Sequence, residues 1–391
     1  MTGYRDQPSF WHPPAWKWAV AFVFFASSLL LLFQKPFLHS SRLQRQHFPD
    51  PPPEWNGSYP YLIVTATDTG SSTFELKTSV QLVEPTVRHD APVNEFQVDL
   101  HSGMFVIRQT DLFIPDVIPI SLTRTYRDWD LSSRAFGTGG NHPYDICPTG
   151  TRFPYTYMDL NLEDGRQIHF RRISEGTGYA DAVFGHDQTA SEFYGARIAW
   201  NGNGWTLDFR DGRQFLFPEA YHARNYAQGA PFEMRDASGH RLKLQRDNQR
   251  SLEQVVSPSG RTITFKYDAA KRISSAVDDV GNVRKYSYDA TGHLETVADA
   301  SHVLYRFEYA DLLHSPGYDP YLLTRILDGK GRVLLQNSYE NGGMSAQKLA
   351  NGDVYKYDYI FVKNEIVETI VNGPMGKVRF FFEHGRFLRE E

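Results

Sequence analysis

A period of 21 residues keeps the C-terminal half of this chain in phase. Tyr267-Asp268 is followed by Tyr288-Asp289 and then Tyr309-Ala310, each 21 positions on, with Arg246-Asp247 one period earlier. A second marker keeps the same step: Gly239, Gly260, Gly281 and then His302. A fixed short period means one small unit stacked on copies of itself, because a unit of that size cannot bury its apolar face alone. Such stacking builds a wall or a surface more readily than a catalytic pocket.

Laid over one another, the periods give three columns ahead of each Tyr-Asp. They are Leu242/Ile263/Arg284/Tyr305, Leu244/Phe265/Tyr286/Phe307 and Arg246/Tyr267/Tyr288/Tyr309. Column members lie two residues apart with mostly polar residues between, the alternation of a half-buried strand. Turn-type residues follow, such as Ala269-Ala270-Lys271-Arg272 and Ala290-Thr291-Gly292-His293. A second apolar run then aligns Leu252/Ile273/Leu294 and Val255/Ala276/Val297, and closes at a turn such as Asp278-Asp279-Val280-Gly281. Asp in these turns can accept backbone N–H groups two residues on, and Gly accepts a positive φ. One repeat therefore reads as a β-hairpin. The period breaks once, where an insertion around His314-Ser315-Pro316-Gly317-Tyr318-Asp319-Pro320 separates Leu294 from its counterpart Leu323. Asp328-Gly329-Lys330-Gly331 restores the turn and Tyr339-Glu340 the strand end, and Tyr357-Asp358 reads as a last copy.

A Tyr-Asp at each strand end with D-x-x-G turns at this spacing resembles the YD repeat of Rhs proteins and teneurins. Upstream, Pro92-Val93-Asn94, Gly103-Met104-Phe105, Thr110-Asp111-Leu112, Ile114-Pro115, Arg124-Thr125-Tyr126, Phe136-Gly137 and His142-Pro143-Tyr144-Asp145 resemble the domain of unknown function that opens many bacterial Rhs proteins. Gly140 replaces the usual Trp and Arg127-Asp128 the usual Asn-Ser, departures expected to matter little for the fold. The resemblance implies an all-β fold, a meander of hairpin repeats forming a curved sheet or partial β-shell. It gives Pro92, Val93, Gly103, Asp111, Pro115, Arg124, Tyr126, Gly137, His142, Tyr144 and Asp145 structural roles in the opening domain. Tyr267, Asp268, Gly281, Tyr288, Asp289, Tyr309, Tyr357 and Asp358 take structural roles in the repeats. Many family members enclose a C-terminal toxin, cut next to a P-x-x-x-x-D-P-x-G-L-type motif. Gly317-Tyr318-Asp319-Pro320 matches that motif only in part, so a short form without a toxin is expected.

Trp16 to Phe33 carries one charge, Lys17. Its 18 residues would span about 27 Å as a helix, close to a bilayer core of about 30 Å, with Trp11, Trp16 and Trp18 at the interface. Gln34-Lys35-Pro36 follows in place of a small-residue cleavage site, which favours a retained anchor over a cleaved signal. Lys35, Arg42 and Arg45 outnumber Arg5 and Lys17, which by the positive-inside rule keeps the body in the cytoplasm; the resemblance implies export, and a body outside the cytoplasm is expected. Pro49-Asp50-Pro51-Pro52-Pro53 reads as a stiff spacer. Tyr61 to Thr67 and Thr73 to Val83 then alternate like the two strands of a hairpin. The expected organisation is an N-terminal tail (1–15), a transmembrane helix (16–33), a Pro-rich linker (34–58), a small hairpin segment (59–90), the opening β domain (91–235) and the repeat region (236–391).

Chemistry is weakly represented. Aromatic residues at 14% suit sheets built on cross-strand aromatic pairs, and a net charge of −5 gives no basic footprint for nucleic acid. Cys147 is the only cysteine, so no internal disulfide forms. His142, Asp145 and Cys147 cluster, but the H-x-Y-D pattern already accounts for two of them. Asp99-His101 and His186-Asp187 lack metal-ligand spacing, and Asp278-Asp279 with Gly281-Asn282 is more simply a repeat turn than a calcium loop. Glu163-Asp164-Gly165-Arg166-Gln167 and Arg210-Asp211-Gly212-Arg213-Gln214 are hairpin signals. No catalytic residue, metal or cofactor is expected. The sequence therefore predicts a non-enzymatic, membrane-tethered scaffold of the cell envelope, with a carbohydrate-binding or carbohydrate-active module and a component of a polymorphic toxin system as alternatives. Expected partners are the membrane through 16–33, a glycan on exposed aromatics, and a protein or second copy on the sheet edge near Val378 to Phe382, with no nucleic acid.

Overall fold

The computed structural model describes residues 98–188, 191–220, 223, 225–311, 321–340, 342–363, 365–383 and 386–391, with two short strands ahead of them. Those strands, Val64–Asp68 and Phe74–Thr78, pair antiparallel as the expected hairpin. The expected tail, transmembrane helix and linker, Pro92, Val93 and the inserted loop around 314–320 lie outside the described residues. Among the described residues no helix is long and apolar enough to cross a membrane.

The body is all-β. From Cys147–Gly150 to Arg386–Glu390 each strand pairs antiparallel with the next in sequence, through the middle region and the repeats without interruption. The strand order runs on from Arg386–Glu390 to Cys147–Gly150, so the meander curls round and closes on itself as a barrel. The expected boundary at residue 235 does not interrupt the ladder: Glu233–Arg235 pairs with Gln214–Pro218 on one side and Arg241–Arg246 on the other. What changes is the core. Met158, Phe170, Phe184, Trp205 and Phe217 pack in a cluster of the middle region, while a second cluster joins the repeats to residues 98–144.

The repeat columns point inward as their period requires. Leu244, Phe265, Tyr286 and Phe307 are all buried, as are Leu252, Ile273 and Leu294 on the returning strands. Tyr267, Tyr288 and Tyr309 are partly buried against the same core. The turns follow one scheme. The Asp278 carboxylate accepts the backbone N–H of Val280 and of Asn282, and Asp289 and Asp328 do the same for their own turns. Gly281 sits at φ +91 with nothing within 4 Å of where a Cβ would stand, so backbone conformation and not crowding selects glycine there. Lys271 occupies the equivalent turn position at φ +64.

Each strand-end tyrosine marks a β-bulge. The register slips between Lys266 and Tyr267, Ser287 and Tyr288, Glu308 and Tyr309, and Ser338 and Tyr339. A bulge disrupts the ladder locally and leaves backbone groups in need of partners. The residue facing Tyr267 is Ile273, and the carbonyl of Ile273 accepts the hydroxyl of the next repeat's tyrosine, Tyr288, at 2.6 Å. Likewise Tyr309 donates to Leu294, which faces Tyr288, and Tyr339 donates to Leu323, which faces Tyr309. Every hairpin thus closes the bulge of the one before it. At the front, Arg246 takes the tyrosine position, and its guanidinium donates to the carbonyl of Pro231. At the far end the bond is made by Tyr359, to Met344 at 2.7 Å, and not by Tyr357. Tyr357 is buried with its hydroxyl unbonded, so the bond comes two residues later than the Tyr-Asp dipeptide suggests, and the bulge of this strand lies further on, between Ile360 and Phe361.

Two stability measurements follow from this geometry. Tyr288→Phe keeps the ring and removes the hydroxyl, leaving the Ile273 carbonyl without its donor. Its urea midpoint is expected to fall by the equivalent of about 1–3 kcal/mol. Lys271→Gly relieves a left-handed residue costing about 1–2 kcal/mol and loosens the unfolded chain by about 0.4–1 kcal/mol. It is expected to raise the midpoint slightly; a fall would show that Lys271 is held by something other than its backbone.

Candidate functional site

The opening motifs converge on the inner face of the repeat sheet. Strands Val106–Ile114 and Ile120–Arg127 form an antiparallel hairpin with one bulge, and Gly140–Asn141 adds a short third strand. Ile107, Leu112, Ile114, Ile120, Leu122 and Tyr126 from this segment share one core with Phe265, Tyr286, Leu294 and Phe307 of the repeats. Amphipathic alternation explains the hairpin; the curved sheet supplies the apolar face it needs.

Polar side chains fix the docking. Arg124, 1% exposed, forks onto Asp111 through Nε at 3.1 Å and Nη2 at 3.3 Å, and Nη2 also reaches Gln109. Tyr286 of the second column donates to the same Asp111 at 3.0 Å, and the guanidinium lies 5.1 Å from the Phe307 ring. Burial works to lower the Arg124 pKa, but the charge and hydrogen bonds of Asp111 outweigh it and raise it. Burial, reinforced by Asp111, raises Tyr286 well above the usual phenol range, so it stays a donor. One turn on, Tyr126 meets Tyr309 edge-on at 5.7 Å and donates to Asp128, whose other oxygen lies 2.8 Å from the Tyr339 hydroxyl.

Backbone contacts extend the face in both directions. The Gly103 carbonyl accepts the N–H of Met344 at 2.7 Å, and the Ala135 carbonyl that of Ile273. Thr138 donates to the Gly292 carbonyl, which lies 2.3 Å from where a Cβ on Gly137 would stand. Only glycine allows that approach. Tyr144 exchanges hydrogen bonds with the backbone of Ser121, and Arg246 binds both the Tyr144 carbonyl and Asp145. The Asp145 carboxyl is held below the usual range: burial acts to raise it, and His142 and Arg246 overcome that. Pro115 is exposed at the bend that carries Asp116. Thus the described opening signature residues sit in or beside one interface, and Pro92 and Val93 fall outside the described residues.

The clustered His142, Asp145 and Cys147 do not form a reactive site. His142 is fully buried among Phe136, Tyr144 and Phe265, with its pKa lowered by burial. Burial pushes the Cys147 thiol up to about 12, so it carries no thiolate near neutral pH. No group of three His, Cys, Asp or Glu that could hold a metal occurs among the described residues.

Three interface residues went unseen in the sequence. Asp116 accepts both hydroxyls of Ser257 and Ser259, where a repeat turn has serine in place of aspartate; that gap in the Asp pattern was the available signal. Asp164, read only as a hairpin tip, is 2% exposed and binds Arg108 at 2.8 Å and Arg166 at 2.6 Å, while its carbonyl accepts Arg127. Asp128 belongs to a motif departure expected to be inconsequential, yet it stands at the centre of the interface. Replacing one partner of the Arg124–Asp111 pair tests the face directly. Arg124→Met strands a buried carboxylate and is expected to cost about 3–5 kcal/mol in a urea titration, together with faster proteolysis of residues 98–146.

Comparison with known proteins finds two family models on the chain. The family model for a domain of unknown function, DUF6531, matches residues 96–170, and that for the RHS Repeat matches residues 267–304. No curated protein matches the chain. Among solved structures, the crystal structures of TcdB2-TccC3-Cdc42 and of TcdB2-TccC3 each align with a TM-score of 0.30 and 12% identity, over 84% of this chain and 20% of theirs. The Photorhabdus luminescens Tc holotoxin pore carrying TccC3-D651A aligns with a TM-score of 0.18 and 11% identity, over 84% of this chain and 22% of that one. The chain therefore spans about a fifth of the length of the chains it aligns with. Alignments this weak leave the assignment to the two family matches, the Tyr-Asp period and the opening motifs. Together these place a DUF6531 match ahead of an RHS Repeat match on one chain, consistent with a bacterial Rhs/YD-repeat protein.

Proposed function

We propose that this protein is a non-enzymatic wall segment of an Rhs-type shell, tethered to a membrane through residues 16–33 with its body outside the cytoplasm. The observation that carries the reading is how the signature side chains are spent. The repeat hydroxyls close backbone carbonyls of neighbouring hairpins, and the opening carboxylates and guanidinium clamp one segment onto the sheet. Groups committed to backbone and to buried pairs build a rigid wall. The same accounting weighs against sugar stacking on Tyr267, Tyr288 or Tyr309, since these rings are packed on the core and their hydroxyls are engaged.

The end of the meander is where a partner would add. Arg386–Glu390 pairs with Gly376–Glu383 and comes next to Cys147–Gly150 in the strand order. Leu388, Val378 and Met375 near this seam are exposed. Exposed apolar side chains at a strand seam favour association, so in this reading a partner chain or a second copy docks there.

The decisive measurement is protease accessibility of a C-terminal tag on the full-length protein in intact cells and after permeabilising the outer envelope only. Digestion with the inner membrane intact is expected. Protection until that membrane is lysed would place the body in the cytoplasm and remove the envelope role. In the same cells, deletion of residues 1–48 is expected to move the protein from the membrane to the soluble fraction.

A further inference from the structure

Asp128 is 0% exposed and lies where the opening segment meets the repeats. Its Oδ1 accepts the Tyr126 hydroxyl at 2.9 Å and the N–H of Leu323 at 3.5 Å. Its Oδ2 lies 2.8 Å from Tyr339 Oη and accepts the N–H of Phe105 at 3.2 Å. Tyr339 Oη is also 2.8 Å from the Leu323 carbonyl, the repeat bond that each strand-end tyrosine makes. Two oxygen–oxygen contacts of 2.8 Å each need a hydrogen between them, and the tyrosine carries only one. If the tyrosine keeps its repeat bond to Leu323, the hydrogen facing Asp128 must come from the carboxyl group.

We propose that Asp128 is a protonation-dependent latch: as a neutral acid it donates its hydrogen to Tyr339 Oη and locks the opening segment to the repeat sheet, and on ionising it loosens that lock. The surroundings support a neutral acid. On its own segment the facing titratable group is Tyr126, whose neighbour Arg127 is turned to Asp164. From Val303–Asp311 comes the Tyr309 ring beside Tyr126, from Val333–Glu340 come Tyr339 and Asn337, and from Tyr321–Asp328 only the Leu323 backbone. Arg124, the guanidinium that acts on Tyr309, is already paired to Asp111. No ion pair among the described residues involves Asp128. Burial pushes its carboxyl up to about 6, although the contact with Tyr339 and the hydrogen bonds from Tyr126, Phe105 and Leu323 act to lower it.

The direction follows from linkage. A carboxyl whose folded pKa lies above its unfolded value of about 4 contributes stability that is complete below pH 4 and lost as pH rises to about 6. Above that pH both states are ionised and the contribution is gone.

The test is urea unfolding of the full-length wild type and Asp128→Asn at intervals from about pH 4.5 to about pH 7.5. The asparagine amide supplies the same hydrogen to Tyr339 at every pH. Relative to that variant, the wild-type folding constant is expected to fall about tenfold per pH unit up to about pH 6 and then level off. Parallel profiles would overturn the latch. Infrared difference spectroscopy of the wild type with isotope-labelled aspartate does not depend on a folded variant. A carboxylic-acid carbonyl band lost near pH 6, and shifted in frequency by Tyr339→Phe, is expected. No aspartate band titrating in that range, or a band indifferent to Tyr339→Phe, would refute it.

Discussion

The hydrogen bond from each strand-end tyrosine to the carbonyl opposite the previous bulge holds this architecture in register. A β-bulge adds twist and curvature, and it also leaves backbone polar groups unmatched inside the sheet. Placing the tyrosine at the bulge solves both problems with one residue: its ring joins the core and its hydroxyl reaches across to Leu252, Ile273, Leu294 or Leu323. Because the acceptor belongs to the preceding hairpin, the bond couples neighbours and not halves of one unit. The repeat is therefore stable only in an array, as nearest-neighbour stacking requires.

Curvature creates an inner face that must be covered, and the opening segment covers it. The segment brings two kinds of contact. Its aliphatic face fills the concave side, and a small number of buried polar groups, Asp111, Arg124 and Asp128, specify where along the repeats it sits. Such groups cost desolvation, and they tolerate few alternative partners. Register of the docked segment is what that cost secures. Tyr286, Tyr309 and Tyr339 come from three successive hairpins, so the segment clamps several repeats together at once.

Much of the local structure was legible from residue spacing. The 21-residue period placed the inward columns, the Asp-x-x-Gly turns and the Asp-Gly hairpins at 164–165 and 211–212, because each rests on short-range rules of alternation and backbone conformation. Errors arose where the deciding partner is remote. Tyr357-Asp358 has the right dipeptide but the wrong position, since the bond depends on which hydroxyl reaches the Met344 carbonyl and not on the letter that follows tyrosine. Asp164 looked like a turn residue, and it is one; its docking to Arg108, 56 positions away, has no local signature.

By itself the sequence determined that the chain is a β meander with a hairpin unit and a specific opening pattern, because hydrophobic period, turn chemistry and motif order are all local. Only the tertiary structure decided that the opening segment lies on the repeats, that Asp116 supplies the carboxylate missing at Ser257, and that a buried aspartate meets a strand-end tyrosine. Those contacts join residues 141, 175 and 211 positions apart. No spacing rule reaches so far; the curvature of the sheet brings them together.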